Sequence, residues 1–155
     1  MSTEAEIRRA TAWDAEAAYE IVLRALRETN ARDYPASVID RLVLTLPEGV
    51  ASKLEEWHAY VAVVHGRIVG TGSLNGKTVR AVFVHPDYQG RGIGTKLMDA
   101  VENAASVQSV DTLTVQSSIT AQPFYAKRGF KVVRETFYGE EQTTVMSEDI
   151  SSPSE

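Results

Sequence analysis

Three glycines at alternate positions, Gly90, Gly92 and Gly94, join an apolar segment at residues 79–84 to an amphipathic segment that follows. Glycine has no Cβ atom, so its backbone can approach a ligand closely. The first N–H groups of a helix point outward, with the positive end of the helix dipole behind them. A strand, a glycine-rich turn and a helix in this order predict an anion site that would fit a pyrophosphate.

Two nucleotide-binding motifs fit this turn poorly. In a P-loop, glycine is followed by lysine and then serine or threonine, whereas Gly94 is followed by Thr95 and only then by Lys96. In a dinucleotide fingerprint, a third glycine would stand where Thr95 does, and an acidic residue would end a second strand about twenty residues further on. The P-loop interpretation fails, and the dinucleotide interpretation is weak.

A second motif follows downstream, where residues 121–130 read Ala-Gln-Pro-Phe-Tyr-Ala-Lys-Arg-Gly-Phe. In the first motif, Gln89, Gly92 and Gly94 satisfy the pattern of Gln or Arg, two residues, Gly, one residue, and Gly or Ala. The two segments resemble motifs A and B of the GNAT N-acetyltransferase superfamily, and in motif B an aromatic pair ends a short helix. The resemblance extends over residues 5–148 and is strongest after residue 59.

This resemblance implies an α+β fold: a central mixed, mostly antiparallel sheet with flanking helices and a splayed parallel strand pair. It implies that acetyl-CoA is the co-substrate, with its pantetheine arm in the gap between the splayed strands. No metal is expected. The residues implied to contact acetyl-CoA through backbone or side chain are Phe83, Val84, Gln89, Gly90, Arg91, Gly92, Gly94, Thr95, Gln116 and Phe124. Gln116 stands where many relatives have an asparagine, so its longer side chain departs from the pattern.

Acyl transfer from a thioester to an amine needs a neutral amine, stabilisation of the oxygen that gains charge, and a proton for the leaving thiolate. By resemblance, Tyr125 donates that proton and the Val84 amide stabilises the oxygen. A tyrosine with a pKa of about 10 is a phenol at neutral pH, while a thiol has a pKa of roughly 8.5. The alternative for Tyr125 is an aromatic that only packs the helix onto the sheet.

The general base is not determined by the sequence, because residues 79–84 contain no acidic residue. The open candidates are an ordered water, His58, His85, Glu56 and the solvent. The acceptor amine is expected between the first helices, the Tyr34-Pro35 loop and a final hairpin loop that contains Tyr138, Glu140 and Glu141. Glu28, Asp33 and Glu55 are candidates for attracting a cationic amine. A small amine, an aminoglycoside-like compound, an amino acid and a peptide amino terminus all stay open.

The pattern of the chain predicts elements that position these residues. A short strand at 7–9 precedes a helix that runs to about residue 28 and opens at a Thr11–Asp14 capping pair. Residues 30–56 are expected to form one or two short helices with loops. Strands are predicted at 59–64, 68–74, 79–84, 112–115, 130–137 and 143–147, and helices at 93–106 and 120–128. We expect one domain over residues 1–148 and a flexible polar tail over 149–155.

Composition fits a small enzyme domain, since 43% of the 155 residues are hydrophobic. The chain has no cysteine, so a disulfide framework and a cysteine nucleophile are excluded. A formal charge of −5 disfavours nucleic-acid binding. No leader or membrane span is apparent, so a cytoplasmic location without membrane contact is expected, and a homodimer is left open.

The sequence therefore predicts an acetyl-CoA-dependent N-acetyltransferase that moves an acetyl group to a primary amine of a small molecule or peptide. Direct attack in a ternary complex is favoured, because no residue stands in a recognisable nucleophile setting. The alternative is a noncatalytic acyl-CoA-binding module that acts in regulation or interaction.

Overall fold

A seven-stranded sheet organises the computed structural model, which describes residues 4–45, 54 and 56–151. The strands are β1 (Glu6–Arg9), β2 (His58–Val64), β3 (Arg67–Asn75), β4 (Thr78–Val84), β5 (Thr112–Ser118), β6 (Lys131–Tyr138) and β7 (Glu141–Asp149). Their order in the sheet is β1-β2-β3-β4-β5-β7-β6. The β4–β5 pair is parallel and the other neighbouring pairs are antiparallel. This confirms the predicted mixed, mostly antiparallel sheet.

Four α-helices flank the sheet within the described part of the chain. They are α1 (Ala15–Glu28), α2 (Ala36–Thr45), α3 (Ile93–Val107) and α4 (Gln122–Arg128). Helix α3 packs Leu97 beside Ala62, while α1 packs Ala18 beside Ala59. Because side chains alternate between the two faces of a strand, Ala59 and Ala62 of β2 face opposite sides. The two long helices therefore cover opposite faces of the sheet.

Local sequence signals account for several element ends. The Thr11 amide donates to the Asp14 carboxylate over 2.8 Å just before α1, as the predicted capping pair requires. His65 and Gly66 both adopt positive φ, 50° and 76°, in the tight turn between β2 and β3. Gly129, at φ 110°, ends α4 in the left-handed conformation that only glycine adopts readily.

Strands β4 and β5 pair over two positions and then separate. The paired residues are Thr78 with Thr114 and Val79 with Val115. Two residues after Val79, Ala81 has φ 53°, and the β3–β4 register shifts between Thr71 and Ser73. The Thr71 hydroxyl donates to the Ala81 carbonyl over 2.8 Å and holds this bulge in place. The bulge bends β4 away from β5 and opens a cleft between the parallel strands.

Several boundaries differ from those predicted. Strand β5 continues to Ser118 rather than ending at residue 115, because β7 pairs with it as far as Ser118 opposite Thr143. Helix α2 lies within the segment predicted as short helices, and residues 46–53 and 55 of that segment lie outside the described residues. The Ile150 amide donates to the Asp111 carbonyl over 2.8 Å. Residues 152–155 of the predicted tail are likewise not described, so the domain boundaries stay predictions.

In the ranges described, no helix is long and apolar enough to cross a membrane.

Candidate active site

The glycine turn places unpaired amides at the start of α3. The Lys96 amide donates the first bond within the helix, to the Gly92 carbonyl over 3.1 Å. The amides of Ile93, Gly94 and Thr95 precede it, so they have no carbonyl partner in their own helix. Gly92 is held at φ 79°, and no atom lies within 4 Å of where its Cβ would stand. The turn therefore has the backbone geometry on which the sequence prediction depends, and its contact with a pyrophosphate stays a prediction.

A cavity of about 320 Å³ opens beside this turn, between β4, α3 and α4. We call it the glycine cavity. Most residues predicted to contact acetyl-CoA line it, namely Phe83, Val84, Gln89, Gly90, Gly92, Gly94, Thr95 and Phe124. Two predicted contacts do not line it. Arg91 stacks its guanidinium 5.0 Å from the centre of the Tyr88 ring, and Gln116 lies in a neighbouring cavity.

Gln89 connects the turn to two other elements. Its Nε2 donates to the Val84 carbonyl over 3.3 Å and lies 3.5 Å from the Thr29 hydroxyl at the end of α1. The side chain therefore fixes the glycine turn relative to β4 while it lines the glycine cavity. Its predicted contact with phosphate stays a prediction.

The backbone of β4 presents alternate residues to the cleft. The Ala81 carbonyl accepts a hydrogen bond from Thr71 on β3, and the His85 amide donates to Val69 on β3 over 2.8 Å. The Phe83 carbonyl also lies beside β3, 3.3 Å from where a Cβ on Gly70 would stand. Because backbone groups alternate in direction along a strand, the polar groups of Val82 and Val84 face the opposite edge. That edge borders the cleft between β4 and β5.

A second cavity, about 810 Å³ in volume, lies between α1, α2, β4, β5 and the β6–β7 hairpin. We call it the larger cavity. The two cavities share Asn30, Val82, Phe83, Ser118, Ala121 and Tyr125 among their lining residues. A molecule in one cavity can therefore meet a molecule in the other at Tyr125 and at the β4 backbone.

Tyr125 occupies this junction as a buried residue, with 4% of its surface exposed. Its ring packs against Phe124 and Phe130, with ring centres 5.2 and 5.3 Å apart. No residue in the described ranges hydrogen-bonds its hydroxyl, although buried tyrosine hydroxyls usually have a partner. Burial raises the pKa of Tyr125 above its usual value, so the side chain stays a phenol at neutral pH.

The larger cavity contains one charge pair and one further cation among its described lining residues. Arg41 bonds Glu141 over 2.9 Å and stacks 4.8 Å from the centre of the Tyr138 ring. Arg80 of β4 lies with its guanidinium 5.9 Å from the centre of the Trp57 ring. Tyr138 and Glu141, two of the residues predicted near the acceptor, line this cavity, and their contact with an acceptor stays a prediction.

Other predicted acceptor residues lie elsewhere. Glu28 and Asp33 line neither cavity, and Glu28 bonds Arg24 over 2.7 Å. Glu140 accepts from the Ser37 hydroxyl over 3.1 Å and lines neither cavity, and Glu55 lies outside the described residues. Tyr34 lines the larger cavity, and its hydroxyl donates to the Gln142 carbonyl over 2.7 Å.

Gln116 is fixed in the larger cavity by two threonines. Its Nε2 lies 2.9 Å from the hydroxyl of Thr143 on β7 and 3.3 Å from the hydroxyl of Thr136 on β6. The donor end of the amide faces the hairpin, and its contact with the co-substrate stays a prediction.

The candidate bases line neither cavity. His85 is buried, accepts from the Asp87 amide at Nδ1, and has Nε2 within 3.2 Å of both Arg24 and Arg67. Burial, followed by the two guanidinium groups, lowers the pKa of His85, so it stays neutral. His58 contacts Tyr60 and Arg9, and Glu56 is absent from both linings. The general base stays open, and an ordered water or the solvent stays a prediction.

Among the described residues, no group of three or more His, Asp or Glu side chains is arranged to hold a metal ion.

Two residues that line the cavities, Val82 and Arg80, were not predicted from the sequence. Val82 contributes its backbone at the junction, and Arg80 contributes a charge to the larger cavity. The alternation of β4 could have indicated Val82 once a bulge at Ala81 was known. Arg80 needed the tertiary structure, since its neighbours in the cavity come from distant segments.

Comparison with known proteins agrees with this geometry. Residues 38–146 match the family described as acetyltransferase (GNAT) domain. The chain is 29% identical over 115 residues to YafP, an uncharacterized N-acetyltransferase of Escherichia coli K12, which covers 74% of this chain and 73% of YafP. It is 39% identical over 89 residues to the peptidyl-lysine N-acetyltransferase YjaB of Salmonella typhimurium LT2, which covers 56% of this chain and 59% of YjaB.

Solved structures share the fold over nearly the whole chain. A GCN5-related N-acetyltransferase from Rhodopseudomonas palustris superposes with a TM-score of 0.89 at 29% identity, covering 97% of this chain and 98% of the other. The PaiA N-acetyltransferase of Thermoplasma acidophilum, in complex with coenzyme A, gives 0.78 at 19% identity, covering 96% and 99%. The chain therefore belongs to the GNAT acetyltransferase family, and it is an enzyme of the N-acetyltransferase class.

Proposed function

We propose that this enzyme transfers an acetyl group from acetyl-CoA to a primary amine by direct attack in a ternary complex. The observation that carries the proposal is the meeting of the glycine cavity and the larger cavity at Tyr125 and β4. A donor in the first cavity and an acceptor in the second would bring the reacting groups together at that junction. Because the chain has no cysteine, an acyl-cysteine intermediate is excluded.

The start of α3 holds the donor's pyrophosphate in this proposal. The amides of Ile93, Gly94 and Thr95 lack partners in their helix and lie at its positive end. The open space beside Gly90 and Gly92 admits a ligand close to the backbone. PaiA, which shares the fold, is known in complex with coenzyme A, and this supports the assignment of the donor.

The backbone of β4 stabilises the oxygen that gains charge. The Val84 amide is the donor that the sequence resemblance implies, and the alternation of the strand turns it toward the cleft. The Val82 amide faces the same way and lies nearer the junction, among residues that line both cavities. A fixed backbone amide suits this role because it needs no reorganisation as the charge develops.

Tyr125 supplies the proton for the leaving thiolate. The amine nitrogen bonds to the carbonyl carbon, the carbon–sulfur bond breaks, and the sulfur takes the phenolic proton. The amine loses its extra proton to water, and solvent reprotonates Tyr125. Burial disfavours the phenolate form of Tyr125. It also disfavours a free thiolate in the same enclosed site. Transfer of the phenolic proton to sulfur therefore accompanies cleavage of the carbon–sulfur bond.

The acceptor is a primary amine on a small molecule or a peptide. The name of YjaB as a peptidyl-lysine N-acetyltransferase supports an amine acceptor. The larger cavity, at about 810 Å³, is large enough for a small molecule or the end of a side chain.

Two measurements on the purified full chain test this function. Calorimetric titration with acetyl-CoA reports donor binding, and release of free thiol with a panel of primary amines reports transfer. We expect micromolar binding and thiol release that depends on the amine. Binding without amine-dependent release would contradict catalysis and favour a noncatalytic acyl-CoA-binding module. Absence of binding would contradict the donor assignment.

A further inference from the structure

Arg80 lines the larger cavity, and among the described residues it forms no ion pair with a carboxylate. It lies on β4, its side chain is exposed, and its guanidinium stacks 5.9 Å from the centre of the Trp57 ring. Across the residues that the structure describes, no carboxylate lies within ion-pair distance of it. An arginine stacked on an aromatic ring is held in orientation and keeps its hydrogen-bond donors for another group.

The charges around Arg80 leave the cavity with a local excess of positive charge. The other charged residues in its described lining are Arg41 and Glu141, which bond each other over 2.9 Å. Arg41 is further held against the Tyr138 ring. Since that pair is neutral as a unit, the excess charge belongs to Arg80. Of the acids predicted to attract a cationic amine, Glu28 and Asp33 do not line the cavity, and Glu55 lies outside the described residues.

Arg80 also stands close to the junction of the two cavities. It precedes Val82 by two residues, which is about 7 Å along an extended strand and less across the Ala81 bulge. A molecule that contacts Arg80 at one end can therefore present its other end to Val82 and Tyr125. The backbone positions of Arg80 and of the junction residue Val82 are therefore no more than about 7 Å apart.

We propose that the acceptor amine carries a carboxylate, which Arg80 binds while the amine faces the junction. The inference rests on the proposed function and narrows the acceptor to amino acids and related amino-carboxylates. The planar guanidinium matches a carboxylate with two parallel hydrogen bonds, an arrangement that gives both orientation and affinity. A carboxylate also satisfies the unpaired charge, which a neutral or cationic amine would not.

A series of acceptors tests the proposal through initial rates of thiol release. Glycine, β-alanine, γ-aminobutyrate and 5-aminopentanoate vary the distance between amine and carboxylate, and the corresponding amides remove the charge at constant length. We expect at least one acid to exceed its amide about tenfold in kcat/KM. Equal rates for the acids and their amides would overturn the inference. A higher kcat/KM with 2-aminoethylphosphonate than with any of the carboxylic acids would overturn the assignment of a carboxylate.

Two variants test whether Arg80 causes the preference for acids over their amides. Arg80→Gln should reduce the acid-to-amide ratio to near one, and Arg80→Glu should reverse it. Arg134→Gln serves as a control, because Arg134 is an exposed residue of β6 that lines neither cavity. A preference that survives in Arg80→Gln would overturn the role of Arg80. Unchanged acetyl-CoA affinity in each variant shows that the protein is folded.

Failure of this inference differs from failure of the proposed function. If amines react and the charge of the acceptor has no effect, acetyl transfer stands and the carboxylate assignment falls. If no acid, amide, simple amine or lysine-containing peptide releases thiol although acetyl-CoA binds, the proposed function falls, and the inference falls with it.

Discussion

The Phe124 ring on α4 lies 3.3 Å from the position that a Cβ on Gly94 of α3 would occupy. This close approach lets α4 pack against the start of α3, and α4 carries Tyr125 to the junction of the two cavities. Glycine at position 94 therefore has a packing role in addition to its exposed amide. The start of α3 and the position of Tyr125 therefore depend on the same contact.

Gly94→Val should displace Phe124 and loosen the α3–α4 contact. We expect a loss of about 1–3 kcal/mol in the free energy of unfolding, typical of overpacking, together with weaker acetyl-CoA binding. Urea unfolding and calorimetry measure the two effects. In a Phe124→Leu background the cost of the valine should fall by at least about 0.5 kcal/mol, because the two residues are in contact. If the stability losses of the two single variants simply add in the double variant, the Phe124 ring does not restrict the size of the residue at position 94.

Gly92→Ala tests the anion site with a matched control. Gly92 at φ 79° and Gly139 at φ 61° both have open space where a Cβ would stand, so alanine at either position costs about 1–2 kcal/mol of backbone strain. Gly92 lines the glycine cavity and Gly139 lines neither cavity. Both variants should lose similar stability, while Gly92→Ala alone weakens acetyl-CoA affinity about tenfold. Equal affinities in the two variants would place the pyrophosphate elsewhere.

Glu148 makes stability depend on pH. Burial, together with the neighbouring Glu102, raises the pKa of Glu148 to about 7, although Arg128 acts in the opposite direction. Since its pKa when unfolded is about 4.3, the folded protein holds the extra proton between these values. Stability is therefore greatest below the lower value, and it is lost as the pH rises through the upper one.

Glu148→Gln should remove this loss. At pH 8 we expect the variant to be more stable than the parent by about 2 kcal/mol, which is less than the full pKa shift implies because solvent screens the partly buried carboxylate. The gain should shrink as the pH falls toward 4.5. Urea unfolding across this range measures it. Glu135→Gln, at an exposed position of β6, controls for the simple removal of a charge. A gain at pH 8 of the same size in both variants would refute the role of the Glu148 site.

Local chemistry explains what could be predicted from the sequence. The His65–Gly66 turn, the apolar face of α3 and the Gly129 end of α4 each depend on neighbouring residues, and each appears in the structure. The glycine turn could be predicted for the same reason. Its motif and the fold it implied are confirmed by the family match and by the sheet.

Features set by distant pairing could not be predicted. Nothing around Ala81 signals a positive φ, which is stabilised by Thr71 on another strand. The length of β5 and the orientation of Gln116 depend on β7 lying beside β5, with β6 beyond it. The position of Arg80 in the larger cavity likewise depends on β4 and the segment around Trp57 lying together in the fold.

We infer that Tyr125 delivers the proton at the junction of the two cavities, and a comparison of Tyr125→Phe with the parent enzyme tests this role. Phenylalanine keeps the packing with Phe124 and Phe130 and removes only the hydroxyl. Tyr19→Phe on α1, which lines neither cavity, is the control. We expect kcat with a reactive amine to fall about 100-fold in Tyr125→Phe, with the dissociation constant for acetyl-CoA unchanged. An unchanged kcat would show that Tyr125 does not donate the proton and that its ring only packs between Phe124 and Phe130.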